Sequence, residues 1–315
     1  MESGPLMWLR LVFSLGLFLG SMAIGWRLRR RGWLSEFLAA RLVRWIVVGI
    51  SPLTLGLSFW HMNFHSLEPW LLPMLGLAIS ASTLAPAMLY ARRARLTRPQ
   101  AGAFLTSAFF SNVGYLGAFT AFALYGEIGY ALCILYLVFF TPCFYTIGFG
   151  LAARYGAAKD ASIMDSAYSG DLRLAPFLGM AAGAALSLAH VARPPALELL
   201  NQALIPLGTA VYLAAIGSQL TFHSPRPWLG PCLAMSAIKF LYTPAVAWLL
   251  VTAFGLQGLP RTVVLIESAT PVAVSPLILP LLFGLDRRLA NALWLVTTAA
   301  AIPVFLLLLP LLPRL

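Results

Sequence analysis

The chain has 315 residues, is 60% hydrophobic and only 10% charged, with a mean hydropathy of +0.86. That balance excludes a soluble globular domain and leaves an integral membrane protein. The net charge of +11 does not signal nucleic acid, because the basic residues gather in short runs between apolar segments, where they set topology.

The first apolar run, Leu11 to Ile24, has no strongly basic region ahead of it, and its cluster Arg27, Arg29, Arg30 and Arg31 comes afterwards. A cleaved signal has the opposite arrangement, so this run reads as a retained first helix. Apolar length and flanking charge then predict ten spans, near 5–26, 38–60, 69–90, 100–124, 127–153, 173–192, 196–220, 227–254, 259–284 and 287–312. Arg41 and Arg44, near the start of the second, read as interfacial anchors. Residues 154–172, with Lys159, Asp160, Asp165 and Asp171 among small residues, read as a flexible cytoplasmic linker. It divides the chain into halves 1–153 and 173–315, each of five spans.

Alternate connections differ sharply in charge. One set holds the arginines at 27, 29, 30, 31, 92, 93, 95, 98, 154, 173, 226, 287 and 288 together with Lys159; the other holds only Arg10, Arg193, Arg261 and Arg314. The positive-inside rule makes the first set cytoplasmic and puts both termini outside, in a cytoplasmic (inner) membrane. Cys133, Cys143 and Cys232 lie inside apolar segments and match no disulfide or zinc spacing. His61, His65, His190 and His223 are scattered and form no metal pair, so no metal and no cofactor is expected.

Two spans are interrupted. Ser111-Asn112-Val113-Gly114-Tyr115-Leu116-Gly117 breaks the fourth, and Glu267-Ser268-Ala269-Thr270-Pro271 breaks the ninth. Hydrocarbon cannot satisfy loosened backbone, so such breaks belong inside protein or beside a water-filled cavity. Tyr125-Gly126 and Phe283-Gly284 close the two spans at an offset of 158, which carries Asn112 onto Thr270, while Pro52-Leu53 is echoed by Pro206-Leu207. Five spans per half is an odd number, so the halves run inverted, and a substrate site is expected at the midplane between the breaks.

Ser111 and Asn112 supply a hydroxyl and a carboxamide, and Gly114 and Gly117 allow close or unwound backbone. Freed amides favour an anion and freed carbonyls a cation, although small residues and an Asn also serve plain helix packing. Glu267 stands out as a carboxylate well inside a span, fit for proton or sodium coupling or for structural pairing. Lys239, deep in the eighth span, either neutralises a substrate carboxylate, pairs with Glu267 or snorkels to the cytoplasm.

Four stretches resemble the auxin efflux carrier family: Asn112-Val113-Gly114-Tyr115-Leu116-Gly117 with Tyr125-Gly126; Ile205-Pro206-Leu207 with Gly217; Lys239-Phe240-Leu241-Tyr242-Thr243-Pro244-Ala245; and Pro271 with Phe283-Gly284-Leu285-Asp286. The resemblance implies an all-α membrane fold of ten helices in an inverted 5+5 repeat, shared with sodium/bile-acid symporters and sodium/proton antiporters. Broken helices 4 and 9 would cross in a transport domain of helices 3–5 and 8–10, set against a scaffold of helices 1, 2, 6 and 7. Relatives form homodimers through the scaffold and move small organic anions by an elevator-like motion. Two departures stand out: Phe119 where the family usually has a proline, and Glu267 where plant carriers tend to a neutral residue. Ser111-Asn112-Val113 with Glu267 is also similar to the sodium-site residues of bile-acid symporters.

The reading is a secondary transporter of a small organic anion in the lipid bilayer, coupled to H+ or Na+ or to neither. Asn112, Gly114, Tyr115, Lys239, Thr270 and Pro271 are the candidate substrate residues, and Ser111, Asn112 and Glu267 the candidate coupling residues. A sodium-coupled symporter of the bile-acid type and a non-transporting receptor or scaffold stand as alternatives. No nucleophile elbow, phosphate loop or HExxH pattern points to an enzyme.

Overall fold

The computed structural model describes residues 4–64, 68–156, 174–220 and 224–308. The sequence-predicted linker lies, from residue 157 onward, outside the described residues. Among the described residues every named element is helical, and the one extended pairing is an isolated antiparallel bridge between Ser111 and Val272.

Among the described residues seven helical stretches are long and apolar enough to cross a bilayer: Leu6–Arg30, Glu36–His61, Pro69–Arg93, Val113–Tyr155, Pro195–Gly217, Arg226–Ala253 and Arg287–Leu307. The remaining apolar segments take shorter forms. Ala175–Leu188 is a helix of 14 residues. Residues 100–124 do not form one rod: a helix runs Arg98–Phe109, the chain extends at Phe110 (φ −95°, ψ 119°), and helical turns resume at Val113. Residues 259–284 divide into Gly258–Ser268, a 3-10 turn Ser275–Ile278 and Leu279–Phe283.

Local chemistry accounts for these boundaries. Thr97 N–H is bonded to Gln100 Oε1 at 3.1 Å and Pro99 occupies the first turn, so the Arg98–Phe109 helix starts where its sequence says a helix starts. Its 12 residues span roughly 18 Å, too short to cross the hydrocarbon. Gly284 is left-handed (φ 68°, ψ 33°) and stops the Leu279–Phe283 helix. Two residues on, Asp286 Oδ1 accepts the Leu289 N–H at 2.9 Å and opens the Arg287–Leu308 helix. Gly126 (φ 66°, ψ −154°) interrupts the helical run after Val113 in a conformation closed to residues with a side chain.

Contacts divide the chain into two units. The first lies within Met1–Trp70, Gly114–Leu135 and Gly170–Leu220. In it the Pro195–Gly217 helix packs on Gly4–Arg30, and Ala175–Leu188 packs on Ser51–His61. The second pair is in backbone contact: a Cβ on Gly183 would run into Gly56, and one on Gly179 into Pro52. The second unit lies within Leu71–Val113, Tyr136–Ser169 and Thr221–Leu315. The Arg98–Phe109 helix is its centre, with every residue from Ala101 to Phe109 buried. Phe149–Tyr155, Leu84–Arg93 and Arg287–Leu308 pack around it.

Candidate functional site

The second unit holds both chain interruptions, and they meet. Asn112 N–H is bonded to Pro271 O at 2.8 Å, and Ala273 N–H to Phe110 O at 3.1 Å. Residues 110–112 and 271–273 therefore lie antiparallel and satisfy each other's backbone, which neither helix could do at its broken end. Val272 N–H, the next donor along, is bonded to Thr297 Oγ1 at 3.2 Å, and Thr270 Oγ1 closes back on Glu267 O at 2.7 Å. Most of this contact is buried: Asn112 is 2% exposed, Thr270 and Val272 are fully buried, and Ser111 is half-buried.

Lys239 completes it. The side chain is fully buried, and its ammonium donates to Ala108 O at 2.6 Å, Ser111 Oγ at 2.7 Å and Phe110 O at 3.4 Å. The Lys239 amino group thus caps the carbonyl end of the Arg98–Phe109 helix, the end where a helix dipole favours a cation. The placement is local in origin. Lys239 lies in a π turn, Ile238–Tyr242, just ahead of Pro244, which has no N–H to continue the ladder; Thr243 bonds Ile238 O with both its N–H and its hydroxyl, the latter at 2.7 Å. Of the three sequence readings of Lys239, escape to the cytoplasm is overturned, since its Nζ is held among carbonyls inside the unit.

Ser111, Asn112, Lys239, Thr270 and Pro271 are therefore brought together, and Glu267 is buried (1% exposed) in the last turn of the helix that leads to Thr270. Gly114 and Tyr115 belong by their contacts to the first unit, where the Tyr115 ring stacks on Tyr212 with centroids 4.2 Å apart. Phe119, at the family's proline position, is buried in that unit and packs on Phe13 and Phe122, while the neighbouring Thr120 hydroxyl meets Ser14 Oγ at 3.1 Å.

One donor at the crossing is left over. Asn112 Nδ2 is buried and has no hydrogen-bond partner among the described residues. Trp294 Nε1 and Thr298 Oγ1 are in the same condition, three residues before and one after the Thr297 that receives Val272. Buried donors left without protein partners are uncommon and are met by a bound water, an ion or a ligand.

The sequence reading singled out Glu267 as the interior carboxylate, and this was incomplete. Glu127, directly after Gly126, is 6% exposed in the first unit. Arg193 reaches it with two bonds, at 2.7 Å and 2.9 Å, and also donates to Leu57 O at 2.9 Å. Asn201 Nδ2 bonds both Glu127 and Ser58 Oγ. By apolar length Glu127 falls at the start of the span near 127–153 and Arg193 in the connection after the span near 173–192. The available signal was their opposite sign on the same predicted side of the membrane.

The family described as membrane transport protein matches residues 15–309. The chain belongs to that family, the auxin efflux carriers. An uncharacterized transporter of Methanocaldococcus jannaschii, MJ1031, is 26% identical over 219 residues, covering 67% of this chain and 69% of the relative. The family and the seven long apolar helices make this an integral membrane transporter.

Proposed function

We propose that the protein is a secondary transporter of a small organic anion bearing a carboxylate, which binds at the crossing in the second unit. The observation that carries the reading is the unused Asn112 Nδ2 donor, buried beside the backbone exchange between residues 110–112 and 271–273. A carboxylate accepts up to about four hydrogen bonds, and a fixed, buried amide donor binds it without prior reorganisation. Lys239, fixed nearby on Ser111 Oγ, supplies compensating positive charge. Thr270 and Pro271 shape the opposite segment.

An inverted five-plus-five arrangement, of the kind sodium/bile-acid symporters have, is supported by the placement of two glycines at positive φ, although their ψ angles, −154° and 33°, make the two turns different. Gly126 (φ 66°) and Gly284 (φ 68°) stand 158 residues apart, the same offset that relates Asn112 to Thr270. On this reading helices 3–5 and 8–10 are the moving body of an elevator and helices 1, 2, 6 and 7 its scaffold, in a cytoplasmic membrane, with homodimers formed through the scaffold and both termini outside.

The ion assignment narrows the sequence expectation, which left H+, Na+ or neither open. Ser111 Oγ and the carbonyls of Ala108 and Phe110 are the oxygens that would suit a sodium ion, and the Lys239 ammonium already occupies them. A fixed cation there favours a sodium-independent cycle, with any coupling carried by a proton on Glu267.

The test is uptake of labelled mono- and dicarboxylates into proteoliposomes, in sodium or choline buffer, with and without a pH gradient. We expect transport of at least one carboxylate, unchanged by sodium and lost in Asn112→Ala. Equal uptake by Asn112→Ala would remove that residue from the mechanism, and a strict sodium requirement would overturn the role given to Lys239.

A further inference from the structure

The second helix carries a groove that transport at the crossing does not use. Phe37, Ala40, Arg41, Arg44, Trp45, Val48 and Gly49 line a cavity of about 600 Å³ in the first unit. Their spacing places them along one stripe of the helix that runs Glu36–Trp45 and continues through the π turn Ile46–Ile50. The stripe is open: Phe37 is 77% exposed and Trp45 64%. In a membrane-spanning helix such a face meets lipid or protein.

Its charge decides between them. Arg41 and Arg44, both exposed, make no hydrogen bond or ion pair among the described residues, whereas nearby Arg29 is paired with Glu36. At i, i+3 on a helix their side chains are neighbours, able to hold one phosphate between two guanidinium planes. Arg41 and Arg44 lie about 8 Å and 12 Å along the axis from Glu36, the depth of a headgroup and its first acyl carbons. Phe37, Trp45 and Val48 provide the apolar wall for the chains, and Gly49 leaves room among them. Among the described residues no carboxylate lines the groove, so a second copy seated on this face about a two-fold axis would set arginine against arginine.

We infer that this groove binds an anionic phospholipid, with Arg41 and Arg44 on its phosphate. The cluster Arg27, Arg29, Arg30 and Arg31, just before this helix in the chain, draws acidic lipids to the same end.

The experiment uses the full chain in detergent, titrated with phosphatidylglycerol or phosphatidylcholine in mixed micelles. Bound lipid is counted by native mass spectrometry, and oligomeric state is read from the same spectra. We expect tight phosphatidylglycerol binding to weaken about thirtyfold in Arg41→Gln/Arg44→Gln, from the loss of two interfacial charges. Arg41→Lys/Arg44→Lys should retain most of it, and Phe37→Ala should weaken acyl-chain-dependent binding with both charges intact. Equal binding of phosphatidylcholine, or displacement of the lipid by millimolar inorganic phosphate alone, would overturn the inference. So would an unchanged affinity in the Gln variant, or a change in that variant's oligomeric state without lipid, which would mark the face as a protein interface.

Discussion

Replacing Arg193 by methionine removes two bonds to the Glu127 carboxylate and one to Leu57 O. The side chains are only 6% and 5% exposed, so water cannot take the place of the lost guanidinium. Glu127 would keep Asn201 as a donor but no compensating charge, and breaking a buried pair in this way costs about 3–5 kcal/mol. Spread over an unfolding entropy of about 2.1 cal/mol/K per residue for a chain of 315 residues, that is a fall of roughly 6 °C in Tm. The assay is a thermal melt in detergent of Arg193→Met, Glu127→Gln and the double variant. The double variant should melt well above the additive expectation, because it leaves no charge buried alone. A loss below about 1 °C for Arg193→Met, or strict additivity in the double variant, would refute the account of this pair as a mutually dependent buried unit.

Other consequences follow from the crossing and its turns. Asn112→Ala should leave Tm within about 1 °C of the parent, since its Nδ2 makes no bond to lose, while uptake falls at least about tenfold. Lys239→Ala should cost about 3 kcal/mol by leaving Ala108 O and Ser111 Oγ without their donor; it should also create a stabilising response to sodium that the parent lacks, read as a thermal shift in sodium against choline chloride. Gly126→Ala should destabilise more than Gly284→Ala, by about 2–3 against about 1–2 kcal/mol. An alanine tolerates the left-handed geometry of Gly284 better than the φ 66°, ψ −154° of Gly126, and melts of the two variants compare them directly.

Much of this protein is legible before any coordinates. Apolar length and the scarcity of charge dictate a helical membrane protein, because only internally bonded backbone survives in hydrocarbon. The places where helices must fail are equally local. Pro271, the Asn112-Val113-Gly114 run, and the glycines at 126 and 284 each act through their own backbone, so the sequence marks them without reference to the rest of the chain.

What tertiary structure decided is which groups meet. The hydrogen bond from Asn112 to Pro271 O joins residues 159 positions apart, and the seat of Lys239 on Ala108 O joins residues 131 apart. No local rule chooses between a lysine that snorkels and one that caps a helix end; the choice depends on which carbonyls the packing of the second unit leaves unbonded beside it. Glu127 and Arg193 make the same point from the other side. Each looks like an ordinary charge at a span edge, and only the packing of three chain segments makes them a buried pair, because burial belongs to the assembled unit and not to any stretch of sequence.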